Sequence, residues 1–379
     1  MTWKDHHVKL SRTGSLVGLV LTGTLALTAC GSDNNTTPAA TGSTAPSASA
    51  ASAIACATGS IKAAGSSAQK NAVDEWVKAY QTACSGATIN YSPAGSGAGV
   101  ASFISKQVDF AGSDSVLKDT EATEAAARCA TGKAINLPMV VGPIAVAYKL
   151  AGVKDLILDA TTISGIFAGK IATWDDAAIK ALNPGATLPS TKIQAFHRAD
   201  ESGTTDNFQK YLTAAAPTAW TSGAGKKFTG TGGQSAAKSD GVTQAVKSTE
   251  GAVTYVEQSY AENAALGIAK IATGASAPVA LTAASAAKAV EAATISGTGN
   301  DLKLKLDYAT KAEGAYPLIL VTYEIACETG TPAASLPLVK SFLTYTASTQ
   351  GQSILTGLGY APLPEQIRAK VATAVESLK

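Results

Sequence analysis

Histidine is almost missing from this chain. There are three in 379 residues; His6 and His7 lie within the first ten, and only His197 serves the rest. That excludes a histidine-built metal centre and a proton relay with more than one histidine. A charge of one sign is missing too. Lys+Arg is 30 against Asp+Glu 28, a balance of +2, so the chain has no basic field for nucleic acid and no acidic field for a cationic partner. Charged residues are only 15% against 46% hydrophobic, which excludes a disordered solvating chain. The apolar stretch Gly14 to Leu27 has 14 residues, short of the ~20 needed to span a bilayer. The standard enzyme signatures also fail. Gly95-Ser96-Gly97-Ala98-Gly99-Val100 lacks the last glycine of a dinucleotide loop. Gly165 to Ile171 is one residue short of a P-loop. Ser96 has Ala94 and Ala98 where a nucleophile elbow needs glycines.

What is present begins with an export signal. Lys4, Lys9 and Arg12 precede the apolar stretch, which ends in Leu27-Thr28-Ala29-Cys30 and then Gly31. This resembles the bacterial lipobox, in which cysteine becomes the lipidated first residue of the mature protein. Residues 1–29 are expected to be removed and Cys30 acylated. The cut takes away Lys4, Lys9, Arg12 and Asp5, leaving 27 charges of each sign. Any anion bound by the mature chain must therefore be held by local geometry. Residues 30–53 are almost entirely Ser, Thr, Ala, Asn, Pro and Gly. They read as a flexible tether with a reach of roughly 25–30 Å. Four cysteines follow: Cys56, Cys84, Cys129 and Cys327. An even number in an exported chain suggests two disulfides, with three connectivities open. Cys56 with Cys84 would staple one strand–helix unit.

At 379 residues, two domains or three small ones are expected. Short strands are predicted at 61–64, 88–91, 108–111, 193–196, 252–256 and 317–323. Helices are predicted between and after them, the first at 69–83 with Ser67 as its N-cap, others at 119–128, 283–293 and 364–378. The long apolar run 135–148 is broken by Pro138 and by Gly142-Pro143. A helical stretch at 161–182 divides around Gly165 and Gly169. Alternating strands and helices predict an α/β fold with mostly parallel sheets, whose ligands sit beyond strand carboxyl ends.

Three strand-to-helix junctions carry the same chemistry: Gly65-Ser66-Ser67, Gly95 to Gly99, and Ser202-Gly203-Thr204-Thr205. Helix N-termini offer unpaired N–H groups and a partial positive charge of about half a unit. Glycine admits close approach and hydroxyls add uncharged donors. Three such ends converging on one point make an anion site without a basic patch.

Here the sequence resembles a known family. His197-Arg198-Ala199-Asp200-Glu201-Ser202-Gly203-Thr204-Thr205 is similar to the R-A-D-x-S-G-T segment of the phosphate-binding proteins of Pst-type ABC transporters, the PstS family. Gly165 to Asp176, Asp109 to Asp114 and Gly251 to Glu257 resemble further family stretches in the same order. The resemblance implies a periplasmic-binding-protein architecture of two α/β lobes with a hinge. Lobe one would be 54–142 plus 317–379 and lobe two 143–316, which puts Cys129 and Cys327 in one lobe and favours their pairing. The implied ligand residues are Ser67, Ser96, Asp114, Arg198, Asp200, Ser202, Gly203 and Thr204. Ser67 stands where many members have Thr, and Ala68 where many have an aromatic. Asp200 would hold the Arg198 guanidinium. Asp114 would accept a hydrogen bond from a protonated phosphate, which sulfate cannot offer.

The implied function is a lipid-anchored receptor on the extracytoplasmic face of the cell membrane. It would bind inorganic phosphate and deliver it to ABC permease subunits, as a monomer with no metal, no cofactor, no catalytic residue and no nucleic acid. The alternatives are an exported phosphate-ester hydrolase and a receptor for another oxyanion.

Overall fold

The computed structural model describes residues 54–130 and 132–379. The expected signal, Cys30 and the tether lie outside them. In chain order come β1 (Gly59–Gly65), α1 (Lys70–Ala83), β2 (Ala87–Ser92), α2 (Ser96–Ile104), β3 (Phe110–Ser113), α3 (Asp119–Arg128) and β4 (Ala134–Tyr148). Then follow β5 (Ile157–Asp159), α4 (Ala160–Phe167), α5 (Ala177–Leu182), β6 (Gln194–Arg198), α6 (Gly203–Ala215), β7 (Gln234–Ala236), α7 (Lys238–Ser248), β8 (Ala252–Glu257) and α8 (Gln258–Asn263). The chain ends with β9 (Gly267–Ile268), β10 (Lys270–Ala272), α9 (Ala283–Glu291), β11 (Thr294–Ile295), β12 (Leu304–Lys305), β13 (Ile319–Cys327), α10 (Leu336–Ala347), α11 (Thr349–Thr356) and α12 (Glu365–Glu376). This is the α/β, two-lobed architecture of a periplasmic binding protein, built on one curled sheet of order β2-β1-β3-β13-β4-β8-β6-β7, with β9 beside β4.

The first half starts from a strand–helix–strand repeat. β1 runs parallel to both β2 and β3. α1 buries Val73, Trp76 and Tyr80 at three-and-four spacing, the stripe that packs a helix on a sheet. Trp76 anchors it further, its indole N–H donating to the Gly351 carbonyl at 2.7 Å. Cys56–Cys84 ties the segment before β1 to the end of α1. Cys129–Cys327 ties the end of α3 to the end of β13, with Cα atoms 5.4 Å apart. Both pairings agree with the expectation.

The centre differs from it. Parallel pairing holds on the flanks, where β6 runs parallel to β7 and β8. The middle strands are antiparallel: β13 to β3 and β4, and β4 to β8. The run expected to break at its prolines is one strand of 15 residues. Pro138 falls at a register shift between Thr322 and Tyr323 of β13, where a bulge spares the N–H that proline lacks. At Gly142-Pro143 the strand changes partner: residues up to Pro143 pair with β13, and from Ile144 with β8. β4 is thus shared by both halves of the sheet. Its residues beyond Ala134 are all buried, as a strand covered on both faces must be.

Two local expectations are also corrected. Ser67 is not the cap of α1, which starts three residues later with Gln69 at the cap; the Ser67 hydroxyl bonds instead to Ser239. Gly165 does not divide a helix. It lies inside α4, where a Cβ would come within 2.7 Å of Ile171 Cδ1, so it serves packing. Residues 300–304 bridge the two expected lobes. Asp301 Oδ1 accepts both the backbone and side-chain N–H of Asn136, at 2.9 and 2.7 Å, and Asn300 Nδ2 donates to Glu328 at 2.8 Å.

Candidate functional site

The three junctions meet where the strand ends converge. The turn after β1 lies against β3: the Ser66 N–H donates to the Gly112 carbonyl at 2.9 Å. A Cβ on Gly65, at φ +148°, would stand 2.0 Å from that same carbonyl, so only glycine permits the approach. Ser96 opens α2. Its Oγ donates to Asp114 Oδ2 at 3.1 Å and accepts the backbone N–H groups of Asp114 and Gly203, each at 3.2 Å. Gly203 opens α6, and a Cβ there would meet Asp114 Cβ at 2.5 Å. One serine hydroxyl therefore joins two helix starts and the end of β3.

Asp114 is 3% exposed and has no cation beside it. Its Oδ1 accepts the Thr322 hydroxyl at 2.7 Å, and its carbonyl accepts Asn207 Nδ2 at 2.7 Å. Burial pushes its pKa up to about 6; bonds from Ser66, Thr322 and Ser96 pull it back, and the charge of Glu257 pushes it up further.

Arg198 ends β6 and is 3% exposed. Its Nε and Nη2 donate to the two oxygens of Asp200 at 2.9 and 2.6 Å, a bidentate pair. The Lys238 N–H also donates to Asp200 Oδ1, at 2.8 Å. Burial works against both ions, but their mutual bonds more than offset it: Asp200 is held below the usual carboxylate range and Arg198 above its ordinary value. The remaining guanidinium nitrogen, Nη1, reaches Ser239 Oγ at 3.2 Å and Thr204 Oγ1 at 3.4 Å. Ser202 caps α6, its Oγ accepting the Thr205 N–H at 3.3 Å. That leaves its O–H as a donor.

Ser67, Ser96, Asp114, Arg198, Asp200, Ser202, Gly203 and Thr204 thus form one connected cluster. Ser67 joins through Ser239, hydroxyl to hydroxyl at 3.0 Å. Sequence reasoning missed Ser239, Thr322 and Asn207, and gave Glu257 no role. Ser239 lies in the first turn of α7 and is fully buried, so a fourth helix start enters the cluster. Its Ser-Asp-Gly setting looks like any helix entry and carries no local signal. Thr322 had none either, because its position depends on the register of β13 against β3 and β4.

Behind the Ser66-Ser67 turn lies a second buried carboxyl. Glu324 on β13 is 2% exposed. Burial raises its pKa to about 7, which Gln69 lowers and Asp114 raises. Gln69 Nε2 donates to the Tyr91 hydroxyl at 3.1 Å, and Tyr91 donates to the Ser66 carbonyl at 2.7 Å. His197 takes no part in the cluster. It stacks on Phe228 with centroids 4.1 Å apart. Among the described residues no group of three His, Cys, Asp or Glu is placed to hold a metal ion.

Known proteins resemble this chain over most of its length. The model of the PBP superfamily domain matches residues 50–350. The phosphate-binding protein PstS 3 of Mycobacterium tuberculosis is 44% identical over 375 residues, 98% of this chain and all of the relative. PstS 2 of the same organism is 40% identical over 377 residues, with the same coverage. Among solved structures, a human phosphate binding apolipoprotein superposes with a TM-score of 0.67 at 23% identity, covering 83% of this chain and 93% of that one. It shows the same fold.

Proposed function

The chain belongs to the PstS phosphate-binding proteins of the PBP superfamily, and on that premise we propose that it holds one orthophosphate between its two lobes for an ABC permease. The observation that carries the reading is Asp114, a buried carboxylate without a cation, bonded to Ser96 inside a ring of anion donors. A carboxylate in an anion site repels its ligand unless the ligand brings a proton. Orthophosphate near neutral pH does.

The donor set follows from the geometry. Ser67 and Ser96 offer hydroxyls from the 54–142 lobe. Arg198, the Ser202 hydroxyl and the N–H groups at the start of α6 offer donors from the 143–316 lobe. Asp200 fixes the guanidinium plane, so that Nη1 is the nitrogen left to face the ligand. Ser67 and Ser239, which bond each other, separate to admit an oxygen. Cross-lobe bonds stabilise closure around it: Gly203 N–H to Ser96, Asn207 to the Asp114 carbonyl, and Lys226 to Glu121 at 2.7 Å. A ligand that touches both lobes favours the closed state by its differential contacts.

Cys30 would carry the lipid anchor and residues 30–53 the tether, so the receptor works as a monomer at the outer face of the cell membrane. Mass spectrometry of the native N-terminus should find an acylated Cys30. Phosphorus NMR of natively purified protein should show one bound orthophosphate, released on denaturation. Incubation with phosphate esters should leave them intact, since a receptor and not a hydrolase is proposed. Steady ester turnover by the purified protein, or a carried ligand without phosphorus, would sink the reading.

A further inference from the structure

Glu257 ends β8 with no exposed surface. Its Oε1 accepts the Thr204 hydroxyl at 2.6 Å, and its Oε2 has no hydrogen-bond partner. A hydroxyl has a single proton. While Thr204 gives it to Glu257, Thr204 offers only lone pairs to Arg198 and nothing to an anion.

The charged and titratable groups facing Glu257 come from several elements: Arg198 on β6, Tyr260 on α8, Tyr360 before α12, and Asp114 after β3. Arg198 is the one cation among them, and Asp200 already engages it through both oxygens. One guanidinium therefore stands against the carboxylates of Asp114, Asp200 and Glu257. A dianion entering this cluster meets net repulsion and leaves Oε2 an unpaired buried acceptor, which is costly. An anion with one charge and two hydroxyls meets less of that repulsion and offers Oε2 a donor.

We propose that Glu257 is a second proton acceptor of the phosphate site, so that the pocket takes orthophosphate in its singly charged form. One P–O–H then faces Asp114 and the other faces Glu257 Oε2, while the two bare oxygens take the Arg198, hydroxyl and N–H donors. Thr204 keeps its bond to Glu257 and acts as a positioning residue. The inference rests on the phosphate reading above.

The test is titration calorimetry of inorganic phosphate into the phosphate-stripped full chain. It is run from about pH 6 to about pH 9 in buffers of different ionisation enthalpy. Above the second ionisation of phosphate, wild-type affinity should weaken about tenfold per pH unit, with about one proton taken up per phosphate bound. Glu257→Gln keeps the shape but offers an N–H. It should bind the doubly charged form, with affinity varying less than about threefold over the same range and little proton uptake. Asp114→Asn leaves Glu257 as the single carboxylate acceptor, so it too should bind the doubly charged form and vary less than about threefold over the range. A flat wild-type profile overturns the proposal, as does a slope in Glu257→Gln or in Asp114→Asn equal to that of wild type. Wild type that binds phosphate with a flat profile leaves the receptor reading intact. Wild type that binds none at any pH removes that reading itself.

Discussion

The two walls of the site handle charge in opposite ways. On the wall built from β3 and β13, Asp114 and Glu324 are buried without a cation, and burial raises both, to about 6 and about 7. On the wall built from β6 and α6, Arg198 is just as enclosed and Asp200 is half-buried, yet each is pushed toward its charged form by the other. Burial is common to both walls; the difference is the presence of a partner. One wall can therefore respond to a proton on the ligand, and the other holds a fixed charge that the ligand must match. With one guanidinium in the cluster, the proposed site would select an anion by combining the two.

The strongest way to break this contrast is to remove the fixed charge. Arg198→Ala leaves the Asp200 carboxylate without its partner, a kind of loss that costs about 3–5 kcal/mol. Phosphate affinity, read by calorimetry, should fall on the order of a hundred- to a thousandfold. Arg198→Lys should recover little, because an ammonium cannot reproduce the bidentate bond to Asp200.

A second test addresses the proton-holding wall through stability. The folded pKa values of Glu324 and Asp114 lie above their ordinary 4.5 and 3.8, so the folded state binds protons more tightly than the unfolded one. Their stabilisation is full below those ordinary values and is lost as pH rises through about 6 and about 7. Asp200 has the opposite sign: its depressed pKa stabilises above 3.8 and fails only as pH falls through the lowered value. Phosphate-free protein should therefore lose stability on the order of 2–3 kcal/mol between mildly acidic and slightly alkaline pH. Glu324→Gln should remove most of that slope in thermal or denaturant unfolding. An unchanged slope in the variant would separate Glu324 from the effect.

Smaller again is the exchange of Asp114 for Asn. The amide both donates and accepts, so phosphate binding should survive within about tenfold, while discrimination against sulfate shrinks by at least about tenfold, roughly 1.4 kcal/mol. Smallest is the effect of salt. A ligand held in the proposed site would be enclosed by dipoles and one guanidinium, so affinity should change less than about threefold between about 20 and about 200 mM inert salt. A steeper loss would indicate an open electrostatic surface.

Much of this was legible in the sequence because it is local. The Arg198–Asp200 pair lies two residues apart, and Ser202, Gly203 and Thr204 open the helix that follows at once. Glycines at Gly65 and Gly203 announce close approaches that the structure then shows. The elements that were misread depend on distant partners. β4 keeps two prolines because, against β13 nearly two hundred residues later, it bulges beside one of them, and β8 takes over as partner beyond the other. Ser67 reads as a helix cap, since nothing nearby shows that Ser239 waits across the cleft. Glu257 ends a motif without declaring that its side chain is fully buried beside Thr204 and Arg198.

Titration of wild type with phosphate and with sulfate, at one pH near neutrality, tests the central claim most directly. If Asp114 reads a proton on the ligand, a sulfate oxygen faces it lone pair to lone pair, a mismatch of several kcal/mol, and sulfate should bind at least about a hundredfold more weakly than phosphate. Sulfate affinity within a few-fold of phosphate would contradict the account, because two anions of the same shape would then be told apart by nothing in the site.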